Sequence, residues 1–418
     1  MLTKLNKYRR RKSVGSRRRS SRGRGRGGLS RLNINWRPIL LFGGIGLAVV
    51  AVVLILVLVI LPGGKDGQQG AQSTPSATNT PVATPIARED MSEGEEELEG
   101  IGYKVIYDAY VSGDEIIFAS GDKMSDSPTL DRLVIYNMTS ATAAEVGGIE
   151  KKNSALFEPK LNANYIVYLD CKSENGGSVC AVDRATGEAF VLREYLFGMP
   201  KVSLSGNYAI WLQQVSKGTN SFGKDRLYVY DLVNKECVEI EVFVNTYFST
   251  SAAYASGDAI VFVEPQGENL TTSQQGSSAS TDAEICVIPL VEGGDTQAIR
   301  FTPGTFAYNP KISGGNIVYM DGTGGPGTNL MLCKKSGDTY GAPVKLATDV
   351  LNYEVGEGYV VYTLNGAVYI YYFSDGSTGR LSSPTTTVTL SSANGKDVIW
   401  YDISFGVAAN ALVHIQVP

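Results

Sequence analysis

Histidine is almost missing from this chain of 418 residues: there is one, His414. That excludes metal centres built on several imidazoles. A serine triad would have to recruit this one residue, and no Gly-x-Ser-x-Gly elbow is present to serve it. His414 falls inside a strand pattern, where a packed or hydrogen-bonded role is expected. Helical periodicity is the second absence: beyond residue 101 no stretch repeats apolar residues at three-to-four spacing. Acidic residues are the third. Residues 1–37 hold three Lys and eleven Arg with no Asp or Glu, a charge of +14 that leaves −19 for the rest of a chain whose total is −5. Cysteine is scarce and odd in number, at 171, 180, 237, 286 and 333. An odd count leaves at least one thiol free or paired with another chain.

What is present divides the chain in four. Ile39 to Leu61 is an unbroken run of apolar and glycine residues, and as a helix it reaches across a hydrocarbon core of about 30 Å. Basic residues beside such a run mark the cytoplasmic side. The 37 residues preceding it, and the missing Ala-x-Ala site after Leu61-Pro62-Gly63-Gly64, favour an uncleaved signal anchor over a cleaved leader. The expected organisation is a basic, disordered cytoplasmic tail (1–37), a transmembrane helix (38–62), a Pro/Ser/Thr and acidic linker (63–100) and a folded domain (101–418). This predicts a single-pass plasma-membrane protein, N-terminus inside and folded domain outside. Membrane lipid is the expected partner of Ile39 to Leu61 and of the basic tail. The Arg-Gly tract at 22–28 has a nucleic-acid reading, disfavoured because only Tyr8 is interleaved with the tail's arginines. Gly44 and Ala48 form one small-xxx-small pair, too common in such a stretch to predict a dimer.

From 101 onward the domain reads as all-β. Seven times a turn of Gly, Ser, Asn or Asp leads into an apolar strand that closes on an aromatic: Phe118, Tyr168, Trp211, Phe262, Tyr319, Tyr362 and Trp400. They lie 50, 43, 51, 57, 43 and 38 residues apart, a period that predicts a seven-bladed propeller with one four-stranded blade per repeat. Pro310-Lys311-Ile312-Ser313-Gly314-Gly315-Asn316-Ile317-Val318-Tyr319 resembles the TolB-like propeller repeat of bacterial and archaeal surface proteins, over roughly Ile101 to the end. The resemblance implies a propeller that often binds protein or glycan. The last repeat has three strands only, and Gly102-Tyr103-Lys104-Val105-Ile106-Tyr107 is predicted to supply the fourth and close the ring. Turns before the second and after the third strand read as short throughout. Connections between second and third strands vary, and in a propeller they share one face.

Two residues beyond the repeat aromatic, several blades place a carboxylate: Asp170, Glu264, Asp321 and Asp402. They are candidate ligand-binding residues on the loop-bearing face. The competing reading has each one hydrogen-bonding its own hairpin, as Asp commonly does. Cys171 and Cys180 flank one hairpin loop and are a possible disulfide outside the cell. Two nucleotide-like matches, 218–224 and 322–327, lead into no helix and are rejected. No cofactor or metal is implied. The expected function is a membrane-anchored extracytoplasmic propeller that binds or scaffolds a protein or a cell-envelope polymer. The alternative is a glycan hydrolase or lyase using carboxylates of the loop-bearing face.

Overall fold

The computed structural model describes residues 86–87, 90–98, 101–122, 129–172, 176–216, 223–245, 252–257, 259–266, 282–289, 297–300, 307–322, 327–337, 339–405 and 411–418. The basic tail and the Ile39 to Leu61 run lie outside them. Among the described residues no helix is long and apolar enough to cross a membrane.

Seven antiparallel blades of four strands follow one another among the described residues, six of them four-stranded sheets and one carrying a fifth strand. Their innermost strands are Tyr107–Ser112, Ala155–Leu161, Val202–Ser205, Tyr254–Ser256, Ala307–Ser313, Asn352–Gly356 and Val388–Asn394, which open blades 1 to 7 in order. Short turns with left-handed glycines, such as Gly113 (φ 59°) and Gly395 (φ 58°), join them to the second strands.

The pleat explains why a blade cannot stand alone. In the second strand of blade 1, Ile116 and Phe118 pack into one apolar cluster with Ile399 and Leu412 of blade 7, while Ile117 and Ala119 pack into another with Leu156, Leu161 and Ile166 of blade 2. Successive side chains leave opposite faces of a strand. A run apolar at every position is therefore buried on both sides. Seven such clusters occupy the seven blade-to-blade interfaces, and each repeat aromatic faces the blade before its own.

The ring closes as a mixed last blade, but not with the strand expected. Residues 102–106 do not pair with blade 7. Its fourth strand is Glu96–Glu97, opposite His414 and Val413 of Ala411–Gln416, and Leu98 N donates to Leu412 O at 2.9 Å. Residues 102–106 cover the core instead. Val105 is buried and its carbonyl accepts from Ser120 Oγ at 2.7 Å, and Tyr103 lies edge-on to Phe118. Upstream, Ile86–Ala87 adds a fifth, parallel strand outside Ser377–Arg380 of blade 6. Met91 N then donates to Arg380 O, and Glu95 Oε2 accepts from Ser383 N. The expectation of uniformly short turns after the third strand fails in blade 5, which inserts a small hairpin, Lys335–Ser336 with Thr339–Tyr340.

Cys171 and Cys180 do not form the proposed disulfide; both are buried free thiols. Cys171 stands opposite Gly177 and Cys180 opposite Tyr168, three positions apart in register. An odd offset puts them on opposite faces, Cys171 toward blade 3 and Cys180 toward blade 1. Burial pushes their thiols up, to about 11 and about 12.

Two outcomes follow. Leu98→Pro, which removes the amide bonded to Leu412 O, is expected to lower the thermal midpoint by several degrees, at about 2 °C per kcal/mol for a large domain. Lys104→Ala, at an exposed position of the next connection, should leave it unchanged; equal midpoints would remove the closing role. After unfolding without reductant, maleimide is expected to modify both Cys171 and Cys180, as read by peptide mass mapping, whereas a disulfide would protect both.

Candidate binding site at the channel mouth

The four carboxylates singled out from sequence stand at the ends of second strands, and two are visibly committed there. Asp170, 4% exposed, accepts from Lys152 N (2.8 Å) and Asn153 N (3.0 Å), tying down the connection into its own blade. Asp402 accepts from Ser404 N and from Ser404 Oγ. Asp321 is half-buried opposite Ala307 and Asn329 in blade 5. Glu264 lies opposite Glu284 in blade 4, and its side chain is outside the described set. Asp402 thus follows the hairpin-bonding alternative, whereas Asp170 bonds the connection that enters its blade and not its own hairpin. His414 is the expected hydrogen-bonded strand residue: its Nε2 lies 3.0 Å from Asp397 Oδ1 on the neighbouring strand.

A different constellation gathers where the innermost strands begin. In three blades that strand carries a bulge built on one pattern: Tyr107-Asp108-Ala109-Tyr110, Phe157-Glu158-Pro159-Lys160 and Tyr308-Asn309-Pro310-Lys311. The second residue of each is left-handed, with φ of 52°, 49° and 47°. Asp and Asn tolerate that region through short polar side chains, Glu less readily. Proline fits beside it because an innermost strand is a sheet edge, where a missing N–H forfeits no ladder bond. Two of the bulge residues reach an adjacent blade, Asp108 the one after its own and Asn309 the one before. Asp108 Oδ2 accepts from Glu158 N at 3.1 Å, and Asn309 Oδ1 from Ala252 N at 3.0 Å.

The bulges aim charged groups at the axis. Lys311 Nζ is 2.6 Å from Glu354 Oε1 of blade 6, donates to Tyr353 O at 2.9 Å, and lies over the Tyr254 and Tyr353 rings. Lys160 Nζ stands 3.8 Å from Glu158 Oε2 and 4.7 Å from the Tyr110 ring centre. Lys201, exposed at the start of blade 3, is near enough to act on both Asp108 and Lys311. Burial, helped by Glu158 and opposed by Lys160 and Lys201, pushes the Asp108 carboxyl up to about 6. Burial also lowers Lys311, against the pull of Glu354, and raises Tyr254 and Tyr353 well above the usual phenol range. Charges from five blades thus meet around one axis.

Strand direction places this mouth. Connections from a fourth strand to the next blade emerge at the same end of the ring as those between second and third strands. Four large apolar side chains are exposed on such connections: Leu196 (68%) and Met199 (51%) between blades 2 and 3, Leu351 (62%) between blades 5 and 6, and Phe405 (88%) within blade 7. The end bearing the variable loops therefore carries both the charged mouth and an apolar rim. Reasoning from sequence missed the channel. Its signal was Pro-Lys recurring at 159–160, 200–201 and 310–311, each just ahead of the repeat's own turn.

No family model matches the chain, and no curated protein matches it. Solved structures do. The chain is similar to the β-propeller domain of the Trilobed protease from Pyrococcus furiosus, described as having an open velcro topology, at 13% identity and a TM-score of 0.54 over 74% of this chain and 94% of that one. A prolyl endopeptidase structure matches at 12% identity and 0.50 over 74% of this chain and 46% of that one. TolB from Acinetobacter baumannii aligns at 16% identity and 0.38, covering 61% and 60%. At such identities the first two likenesses show a propeller fold and nothing of activity.

Neutralising the raised carboxyl tests the reading of the channel. Its folded value, about 6, lies above the ordinary 3.8. Between those values the folded state holds the proton more tightly, so stability falls as pH rises through the window and the full cost stands above it. Asn keeps the acceptor for Glu158 N and suits the left-handed bulge, as Asn309 does in blade 5. Asp108→Asn is expected to raise the thermal midpoint at pH 8 by a few degrees and to lose that advantage near pH 4. A pH-independent difference would refute the assignment.

Proposed function

We propose that this protein is a binding or scaffolding module whose loop-bearing face receives another protein or an envelope polymer. The observation that carries the reading is the concentration on one end of the ring of Leu196, Met199, Leu351 and Phe405 around a charged channel mouth. Isolated exposed apolar residues are ordinary on a surface; grouped on one functional end they mark contact sites. The resemblance of the repeat to TolB-like propellers supports the same reading. The chemistry of the Ile39 to Leu61 run and of the Arg-rich segment before it supports attachment to a membrane, with the propeller outside and the tail against anionic headgroups. The commitment of Asp170 and Asp402 to local backbone and hydroxyl donors weighs against hydrolase or lyase chemistry by those carboxylates.

The test is capture from envelope extract by the full-length chain, with retained proteins and glycans identified. A specific partner is expected whose retention falls at least several-fold in the Leu351→Ser, Phe405→Ser double variant at unchanged thermal midpoint. Turnover of a retained glycan, abolished by Asp321→Ala, would overturn the reading in favour of an enzyme.

A further inference from the structure

The turn that joins the third and fourth strands of blade 1 has close counterparts in blades 2 and 3. In those two, the third strand ends on a carboxylate that caps the turn. Asp183 Oδ1 accepts from Ala185 N (2.9 Å) and Thr186 N (3.0 Å), and Asp231 Oδ1 accepts from Val233 N and Asn234 N, both at 3.0 Å. Blade 1 places Asn137 at this position, and its Oδ1 accepts from Ser140 N at 2.9 Å and from Ser140 Oγ at 3.0 Å. A backbone N–H can only donate, so the first of these bonds settles which end of the amide is oxygen. The other end, Nδ2, has no hydrogen bond among the described residues and is not a buried atom. Capping needs an oxygen alone, which Asp supplies in the sister turns. The fold therefore gives the nitrogen of Asn137 no task. Two residues on stands Thr139, exposed, its hydroxyl donating to Asp114 Oδ2 at 3.2 Å. Asn137-Met138-Thr139 is thus an Asn-x-Thr acceptor pattern for an N-linked glycan, set at a surface turn.

We propose that Asn137 is an N-glycosylation site. The inference rests on the reading that puts the propeller outside the membrane, and it adds a covalent modification to that reading. In the transfer, Asn137 Nδ2 forms a bond to the anomeric carbon of a glycan carried on a polyprenyl phosphate or diphosphate in the membrane. The bond from that carbon to the carrier's phosphate oxygen breaks, its electron pair leaves with the phosphate, and the amide nitrogen gives up one proton. The product fits the finished fold. Both capping bonds use Oδ1, so a sugar on Nδ2 displaces neither, and Thr139, Ser140 and Ala141 beside it are exposed. Turns after a third strand lie at the end of the ring opposite the variable loops, so a bulky, solubilising glycan here leaves the binding face clear. A second match to the pattern, Asn269-Leu270-Thr271, lies outside the described residues.

The test is peptide mass mapping of the full-length protein isolated from its own cells. Trypsin releases residues 133–151 as one peptide, in which Asn137 is the only asparagine. That peptide is expected to carry added hexose or N-acetylhexosamine mass. The addition should vanish in Asn137→Asp, which keeps the capping oxygen and removes only the nitrogen, and in Thr139→Ala, and it should persist in Thr139→Ser. Sugar that survives Asn137→Asp would belong to a hydroxyl of the same peptide and would overturn the inference. A membrane-impermeant amine reagent applied to intact cells separates this inference from the reading beneath it, through the exposed Lys201 and Lys396. An unmodified Asn137 in protein labelled at those lysines rejects the site and leaves the propeller outside, as does a glycan confined to Asn269. Protein that is neither glycosylated nor labelled overturns both.

Discussion

Everything in this molecule depends on sheets that are apolar on both faces. A strand such as Glu115–Ser120, with Ile116, Ile117, Phe118 and Ala119 all buried, has no side to show to water. It must be sandwiched, and so must its neighbour, and the requirement ends only when the last sheet meets the first. Closure is therefore a condition of burial for all seven interfaces. The cluster joining Ile399 and Leu412 to Val111, Phe118 and Val134 is the place where the chain's two ends satisfy it. Blade 7 is built from distant parts of the sequence because a ring assembled in order needs one seam.

Closure also creates an inner rim of strand edges that no further strand can cover. Free edges invite mispairing, and this chain manages them with bulges, prolines and charges. Asp108, Glu158 and Asn309 bend the rim, and two of them use their side chains to hold the backbone of an adjacent blade. Serines do the same elsewhere: Ser392 Oγ accepts from Val111 N, and Ser203 Oγ from Ala255 N. The lysines that follow the bulges are consequently brought together by features whose first role is structural, and the channel's electrostatics come out of edge protection.

The blades were legible because the signal repeats and is strong. Seven buried aromatics at matching positions cannot arise from helices, and the structure puts every one at a blade interface. The closing strand was not legible. Glu96–Glu97 carries no apolar pattern and reads as a solvated acidic run, since an outermost strand contributes backbone more than side chains. The run from Tyr103 to Ile106 has the apolar residues a strand is expected to have, and it uses them as a cover, Tyr103 and Ile106 over blades 1 and 7 and Val105 over blades 1 and 2. Parity defeated the proposed Cys171–Cys180 bond: spacing across a hairpin says how close two residues are, while register says which face each occupies. The channel site was hidden for a related reason. Lys160, Lys201 and Lys311 are far apart in sequence, and only the radial arrangement of the first strands makes them neighbours.

The attachment of the chain before the first blade has a mechanical meaning. Ile86–Ala87 lies along blade 6 and Glu96–Leu98 along blade 7, so a pull from upstream meets two latches in series. The first is a two-residue parallel pairing backed by the Met91 N bond to Arg380 O and the Ser383 N bond to Glu95 Oε2; release of all three pays out slack chain, up to roughly 25–30 Å when fully extended. The second is the seam of the ring. Tension that outlasts the slack is delivered to the one place where the propeller can be opened, so the same residues that complete the fold set the load at which it comes apart.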